Sequence, residues 1–300
     1  MPSHTPISAD DFAGRLSERA QVWKLRTRTL DFSRRPLVMG IINVTPDSFS
    51  DGGRFLDPRA AIEQAFQLAA DGADLLDIGG ESTRPYSEPV SVDEELRRVV
   101  PVIEGVATKV QIPISIDTSK AAVARAAIEA GAEIINDVTA FEGDPVMVAL
   151  AVETNVGVCA MHMQGTQQTM QDNPSYADVV AEVKAYLRQR RDALVAAGVA
   201  RDRICLDPGI GFGKTHDHNI KLMAHCHEFH ALGCPLLVGH SRKGFLAKLI
   251  GDKEADRTSA TIGAALSLAV QGVQIVRVHD VRPVLEALLA FEAMGGLDAR

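Results

Sequence analysis

The chain has 300 residues, is 46% hydrophobic and 23% charged, and carries a net charge of −8. That composition excludes a disordered chain, which would need low apolar content and high charge. The acidic balance, with one Trp and three Tyr, argues against non-specific nucleic-acid binding and against an anionic membrane surface. Four cysteines at 159, 205, 226 and 234, with no CxxC pair, are too few for a disulfide scaffold and read as a reduced set. No stretch approaches the roughly 18 apolar residues of a membrane span. The first twenty residues lack a basic start followed by an apolar run, so they do not read as a secretory signal. The expected location is the cytoplasm.

Residues 1–35 are polar and mixed, hold the single Trp23, and carry a basic run from Lys24 to Arg35. They read as an N-terminal extension with one short helix, the basic run being a solvated face. The domain proper is expected over 36–296. From residue 36, apolar or β-branched runs alternate with helical patterns. The runs are Leu37–Asn43, Asp74–Gly79, Pro113–Asp117, Glu133–Asp137, Val156–His162, Arg203–Asp207, Pro235–Gly239 and Gln274–Val278. Helices are predicted after them at roughly 58–71, 91–107, 119–130, 143–154, 175–197, 217–231, 257–271 and 281–294. Ser91-Val-Asp-Glu94 is a capping box ahead of an apolar face at Leu96, Val99, Val100 and Ile103. Gly72, Gly131, Gly198 and Gly272 each follow a helix, where a left-handed residue costs least as glycine. The strand runs are nearly continuous in apolar residues, as strands buried on both faces require.

Eight βα units in about 260 residues predict a single α/β domain, a (β/α)8 TIM barrel. The rival is a doubly wound open sheet, which usually shows GxGxxG after its first strand. Here that strand ends in Asn43-Val44-Thr45-Pro46.

Barrel chemistry sits at the C-terminal ends of strands. Those ends carry Asn43, Asp77, Asp117, Asn136 with Asp137, His162, Asp207, Ser241 with Lys243, and Arg277 with His279. Polar residues cost little where strands meet water, which explains one or two of them and not all. Asp117, Asn136 and Asp207 offer acceptors and an amide edge to a ring with several N–H groups. Lys243, Arg277, His279 and Arg84 offer positive charge to an oxyanion-rich ligand such as a phosphate ester. No serine or cysteine stands beside a histidine in a nucleophile motif, so acyl-enzyme chemistry is not expected.

Two loops read as lids rather than plain surface: Asn43 to Gly53, and Gly79-Gly-Glu-Ser-Thr-Arg-Pro85. Asp207-Pro-Gly-Ile-Gly-Phe-Gly-Lys214-Thr215 misses a phosphate-loop pattern because Pro208 stands where its first glycine must be. Its glycines instead allow close backbone approach to a flat ligand beside Phe212. His216, His218, His225, His227 and His230 cluster around Cys226. On a helix only 227 and 230 converge, too few for a tetrahedral zinc site.

These pieces together carry a resemblance. Gly40-Ile-Ile-Asn-Val-Thr-Pro-Asp-Ser-Phe-Ser-Asp-Gly-Gly53, Asp77-Ile-Gly-Gly-Glu-Ser-Thr-Arg-Pro85, Ile116-Asp-Thr-Ser-Lys120, Ile135-Asn-Asp137, Met161-His-Met-Gln-Gly165, Asp207 to Lys214, Ser241-Arg-Lys243 and Arg277-Val-His279 occur in order across the barrel. The chain resembles the dihydropteroate synthase family of folate biosynthesis. The resemblance implies a transferase joining p-aminobenzoate to a dihydropterin pyrophosphate, with release of pyrophosphate. By that likeness Asp117, Asn136, Asp207 and Lys243 hold the pterin, and Asn43 ligates Mg2+. Arg84, Arg277 and His279 meet the pyrophosphate or order its loop. Thr83, Pro85, Phe212 and the helix start at Gly244 form the aminobenzoate pocket. Asp117, Lys243, Arg277 and His279 are the expected catalytic set. A homodimer through late helices is also implied, with no nucleic-acid or membrane partner. The chain departs from the family pattern at Tyr86, usually glycine, at Gln167, commonly proline, and at Gly244, frequently serine. A pterin-binding methyltransferase would have a similar barrel but no pyrophosphate to eject. A non-catalytic pterin-binding homologue is the third reading.

Overall fold

The computed structural model describes residue 16, residues 18–45 and residues 58–298. A short antiparallel hairpin comes first, β1 (Val22–Lys24) and β2 (Thr29–Asp31). The barrel strands follow: β3 (Leu37–Asn43), β4 (Leu75–Gly79), β5 (Ile114–Asp117), β6 (Ile134–Asp137), β7 (Gly157–Met161), β8 (Ile204–Asp207), β9 (Leu237–Gly239) and β10 (Ile275–Val278). Between and after them run α1 (Pro58–Ala70), α2 (Val92–Ala107), α3 (Ala121–Ala130), α4 (Met147–Thr154), α5 (Val179–Ala196), α6 (His216–Ala224), α7 (Gly244–Ile250), α8 (Thr258–Val270) and α9 (Val281–Ala293). All eight strands are parallel, in the order β8-β7-β6-β5-β4-β3-β10-β9. A bridge from Leu206 to Leu236 joins the two outer strands, closing the TIM barrel. No helix among the described residues is long and apolar enough to cross a membrane.

The period-two alternation of a strand builds the interior. One set of strand residues, including Val38, Ile42, Leu76, Ile78, Ile116, Ile135, Val158, Leu206, Val238 and Val276, packs outward against the helices. The alternate set, Met39, Leu75, Ile134, Cys159, Cys205, Leu237 and Ile275, fills the lower lumen. Two residues further along each strand come Ile41, Asp77, Asn136, Met161, Asp207, Gly239 and Arg277. The upper lumen is therefore polar for a geometric reason: it is the next inward-facing layer, at the end where the loops open.

The segment before residue 36 packs as the barrel floor. Residues 22–31 form a hairpin, an element the sequence reading does not expect. Trp23 is fully buried with Leu25, Phe32 and the lower-lumen residues. Its indole Nε1 donates to the Arg203 carbonyl at 2.8 Å. Gly157 answers this packing, since a Cβ there would lie 2.7 Å from Leu25 Cδ2 and 3.3 Å from the Trp23 ring. The basic run is ion-paired at the surface, with Lys24 to Asp202 at 2.6 Å and Arg28 to Glu133 at 2.8 Å.

Ser91 caps α2 by accepting from the Glu94 amide at 3.2 Å, while the Glu94 carboxylate turns to Arg98 at 2.8 Å instead of completing the box. The complete capping box is Thr215 with His218, at the start of α6. The helix expected over 217–231 ends at Ala224 and continues as a 3-10 stretch, Cys226–Leu232. Tertiary bonds set that tighter winding: His227 Nδ1 lies 3.2 Å from Gln271 Oε1, and His230 Nε2 lies 2.9 Å from the Gln271 carbonyl.

Trp23→Ala should lower the unfolding free energy by about 3–5 kcal/mol, the usual cost of emptying a large aromatic site. Urea denaturation followed by far-ultraviolet circular dichroism measures it. An unchanged midpoint would show that the hairpin is not part of the cooperative core.

Candidate functional site

A cavity of about 1020 Å3 opens at the C-terminal end of the strands. Asn43, Thr83, Arg84, Pro85, Phe212, Lys243, Gly244, Arg277 and His279 all line it. Asp117, Asn136 and Asp207 lie beneath, each less than a tenth exposed. The structure thus gathers the expected site residues at one end of the barrel in two tiers. Of the two loops read as lids, residues 46–53 of the first lie outside the described residues; the second forms one wall.

Arg277 ties the tiers together. Its Nε donates to Asp77 Oδ2 at 2.5 Å and its Nη2 to Asp117 Oδ2 at 2.9 Å. Asn136 Nδ2 also donates to Asp77 Oδ2, at 3.2 Å, which turns the Asn136 carbonyl oxygen away from Asp77. Asp77 is fully buried. Its part as the anchor of Arg277 is invisible in the sequence, because the two residues are 200 positions apart. Burial pushes the Asp117 carboxyl up, the guanidinium pulls it down, and the neighbouring Asp77 pushes it up again, leaving it at about 7.

The second charged pair is Lys243 with Asp207. Burial lowers the Lys243 ammonium to about 8 against the pull of Asp207. Burial raises the Asp207 carboxyl against the opposing pull of Lys243. Lys243 Nζ donates to the Ile210 carbonyl and sits 4.6 Å above the Phe212 ring, a cation–π distance. Asp207 Oδ1 accepts from the Gly209 amide at 2.7 Å. Gly209 has φ +67° and its Cβ position lies 1.9 Å from the His162 carbonyl, so only glycine lets this loop fold back over β7.

Two strand-end residues, His162 and Asp137, serve the scaffold. Lys214 Nζ donates to the Phe212 carbonyl at 2.8 Å and meets His162 Nδ1 at 3.0 Å. Burial, then Lys214, drives His162 down to about 3, so its ring is neutral. Asp137 accepts from Thr139 and Phe141 amides at 2.7 and 3.0 Å, bracing a turn with φ +54° at Ala140 and +66° at Phe141.

One expectation is corrected. His279 is not a cation at neutral pH. Burial, then Arg277 and Arg242, lower it to about 4, and its Nδ1 lies 3.1 Å from Ser241 Oγ. Arg277, Lys243 and Arg84 carry positive charge at this rim, with Arg242, Lys248 and Arg257 also on the cavity wall. In the histidine cluster, His227 and His230 both reach Gln271, and His225, His227 and Glu228 bring ligand atoms within 4.8 Å of one another.

Two of the departures noted in the sequence turn out to be partners. The Tyr86 amide donates to the Gln167 carbonyl at 3.2 Å, and Gln167 Nε2 donates to Ser87 Oγ at 2.9 Å. At Gly244, an added Cβ would meet nothing within 4 Å, so the cavity wall is open there.

For a divalent cation, the nearby carboxylates Asp77 and Asp117 are engaged by Arg277. Asn43 contributes an amide oxygen, a hard donor. That donor set fits magnesium, which takes few protein ligands and keeps water and phosphate oxygens for the rest. It does not fit a soft or fully protein-caged ion.

An eight-stranded barrel with a two-tier polar mouth of this kind is the architecture of a TIM-barrel enzyme. The family model for pterin-binding enzymes matches residues 39–279. A dihydropteroate synthase from Escherichia coli K12 is 46% identical over 265 residues, covering 88% of this chain and 93% of its own. A Yersinia pestis dihydropteroate synthase in a sulfonamide drug complex superposes with a TM-score of 0.86 at 44% identity, over 92% of this chain and 99% of its own. A Xanthomonas albilineans dihydropteroate synthase with 4-aminobenzoic acid gives 0.85 at 44% identity, over 92% and 98%. The chain belongs to the pterin-binding enzyme family and, within it, to the dihydropteroate synthases.

Arg277→Ala should strip two buried carboxylates of their counter-charge and cost about 3–5 kcal/mol of stability near neutral pH. The sign follows from linkage. Without the guanidinium that pulls it down, the folded Asp117 carboxyl holds its proton more tightly than the unfolded one, so the deficit is largest above its folded pKa and shrinks as pH falls towards about 4. Unfolding midpoints of wild type and variant at about pH 8 and about pH 5 measure this. A gap that does not narrow would show that the loss is of packing, not charge.

Proposed function

We propose that this chain joins p-aminobenzoate to 6-hydroxymethyl-7,8-dihydropterin pyrophosphate, giving 7,8-dihydropteroate and pyrophosphate. The observation that carries the reading is the stacking of the two tiers: ring-binding acceptors below, cations immediately above. Asp207 and the Asn136 carbonyl oxygen accept from the pterin's N–H groups, Asp117 shares in holding the ring, and Lys243 lies across its edge with Phe212 alongside. In this reading the pterin's side-chain carbon faces Arg277.

The reaction forms one C–N bond and breaks one C–O bond. Electrons of the C–O bond leave with the pyrophosphate oxygen, and the attacking amine gives up its proton after attack. No protein nucleophile is required. Arg277, with two of its donors fixed by Asp77 and Asp117, presents its remaining edge to the leaving group without reorganising, which is how a preset charge lowers a barrier. Arg84 adds charge from the second loop, and neutral His279 offers a ring nitrogen held in place by Ser241. Asn43 would supply an oxygen to Mg2+, and the ion, when bound, would neutralise charge on the leaving group. Thr83, Pro85, Phe212 and the start of α7 at Gly244 form the aminobenzoate pocket. α7 begins without a side-chain cap, so its first N–H groups are suited to a carboxylate. We further propose a cytoplasmic homodimer, a reading supported by the family resemblance.

Pyrophosphate release with both substrates present, and not with either alone, tests the activity. A methyltransferase or a non-catalytic homologue would release none. Asp207→Asn should weaken binding of the pterin by about tenfold or more, the worth of a charge-assisted bond, with the fold intact. Calorimetry showing unchanged affinity would remove the pterin from this end of the barrel.

A further inference from the structure

The loop that follows β7, residues 162–178, touches both walls of the cavity. On one side it grips the loop after β4. The Tyr86 amide donates to the Gln167 carbonyl at 3.2 Å, and Tyr86 Oη donates to Asp172 Oδ1 at 2.8 Å. Gln167 Nε2 donates to the Ser82 carbonyl and, at 2.9 Å, to Ser87 Oγ. Gln168 Nε2 donates to the Ser87 carbonyl at 3.1 Å. On the other side it holds the loop after β8: Gln171 Nε2 donates to the Gly211 carbonyl at 2.8 Å, and Tyr176 Oη to the Gly213 carbonyl at 2.8 Å.

Two features show that these bonds hold a defined shape. Tyr86 sits at φ +62°, a region that a bulky side chain enters only when its surroundings impose it. Its ring is 62% exposed, so burial is not what keeps it there; the bonds to Gln167 and Asp172 are. The base of the same loop is fixed separately. Lys120 Nζ bridges Glu81 and Glu95, Glu81 Oε1 accepts from the Val90 amide at 3.0 Å, and Arg98 Nη1 donates to the Gly80 carbonyl at 2.8 Å. Thr83, Arg84 and Pro85 therefore hang between a braced base and a clasped tip.

We infer that Tyr86, Gln167 and Asp172 are positioning residues that fix Thr83–Pro85 for the aminobenzoate substrate, the β7 loop being a brace between the two walls of its pocket. The inference rests on the proposed function for the identity of that substrate. The clasp touches neither Asp117, Asn136 nor Asp207, so it acts on the wall around Thr83–Pro85, Arg84 included, and leaves the pterin ring's own partners alone. Its energetic basis is pre-organisation: a loop already held in its binding shape loses less freedom when the ligand arrives.

Two variants test it. Gln167→Glu keeps the size of the side chain and replaces the donating Nε2 with an oxygen facing the Ser82 carbonyl. Tyr86→Phe keeps the ring and removes only the bond to Asp172. In steady-state assays of pyrophosphate release, Gln167→Glu should raise KM for p-aminobenzoate about tenfold, the worth of one or two lost hydrogen bonds. Tyr86→Phe should raise it by a smaller factor. Both should leave the affinity for a pterin lacking the pyrophosphate unchanged by calorimetry, because the clasp touches none of the ring's partners, and any fall in kcat should be smaller than the rise in KM. Hydrogen exchange at 82–87 should quicken in Gln167→Glu whatever the reaction is, which separates failure of the clasp from failure of the assigned activity. An unchanged exchange rate, an unchanged KM in an active enzyme, or a parallel loss of pterin affinity each overturns the inference.

Discussion

One guanidinium set between two carboxylates organises the upper barrel. Arg277 reaches from β10 across β3 to Asp77 on β4 and Asp117 on β5, and Asp77 in turn receives Asn136 from β6. Four strand ends are thereby fixed relative to one another by a single cation. Because that cation is outnumbered, the cluster carries surplus negative charge in a dry place, and Asp117 holds its proton up to about 7. The same arrangement costs stability and provides function: burying a charge pair is at best neutral against an apolar core, but it leaves a cation already aimed at the mouth.

The architecture was legible in the sequence because it rests on local signals. Apolar runs, glycines after helices and polar strand ends each speak within a few residues, and the strands begin within two residues of their expected starts. The strand-end residues were legible for the same reason, since a strand end is a local feature and a barrel assigns it a place; the pocket role of Thr83, Pro85, Phe212 and Gly244 came from the family resemblance alone. What escaped were long-range facts. Asp77 reads as one more strand-end acid until its partner on β10 is seen. Tyr86 and Gln167 read as two unrelated departures. His279 reads as a cation because its desolvation by neighbours on other strands is not written near it.

The hairpin escaped for a different reason. Val22-Trp23-Lys24 and Thr29-Leu30-Asp31 are three residues each, too short for a period to declare itself, and they are set in a basic stretch that resembles solvated surface. Only the lone tryptophan hinted at a core. Similarly, the helix after residue 216 stops early because Gln271, on another element, takes His227 and His230 into its own bonds. In both places a tertiary contact overrode the local pattern.

The hairpin floor also has a kinetic meaning. Trp23, Leu25 and Phe32 stopper one end of the barrel, so molecules pass only through the opposite mouth. A ring seated on Asp207 and Asn136 occupies the bottom of a blind well, and anything resting on Thr83 or Phe212 lies above it like a lid on a jar. On the proposed function, such a vessel would fill from the bottom and empty from the top, the pterin entering before the aminobenzoate and the joined product leaving by the same mouth.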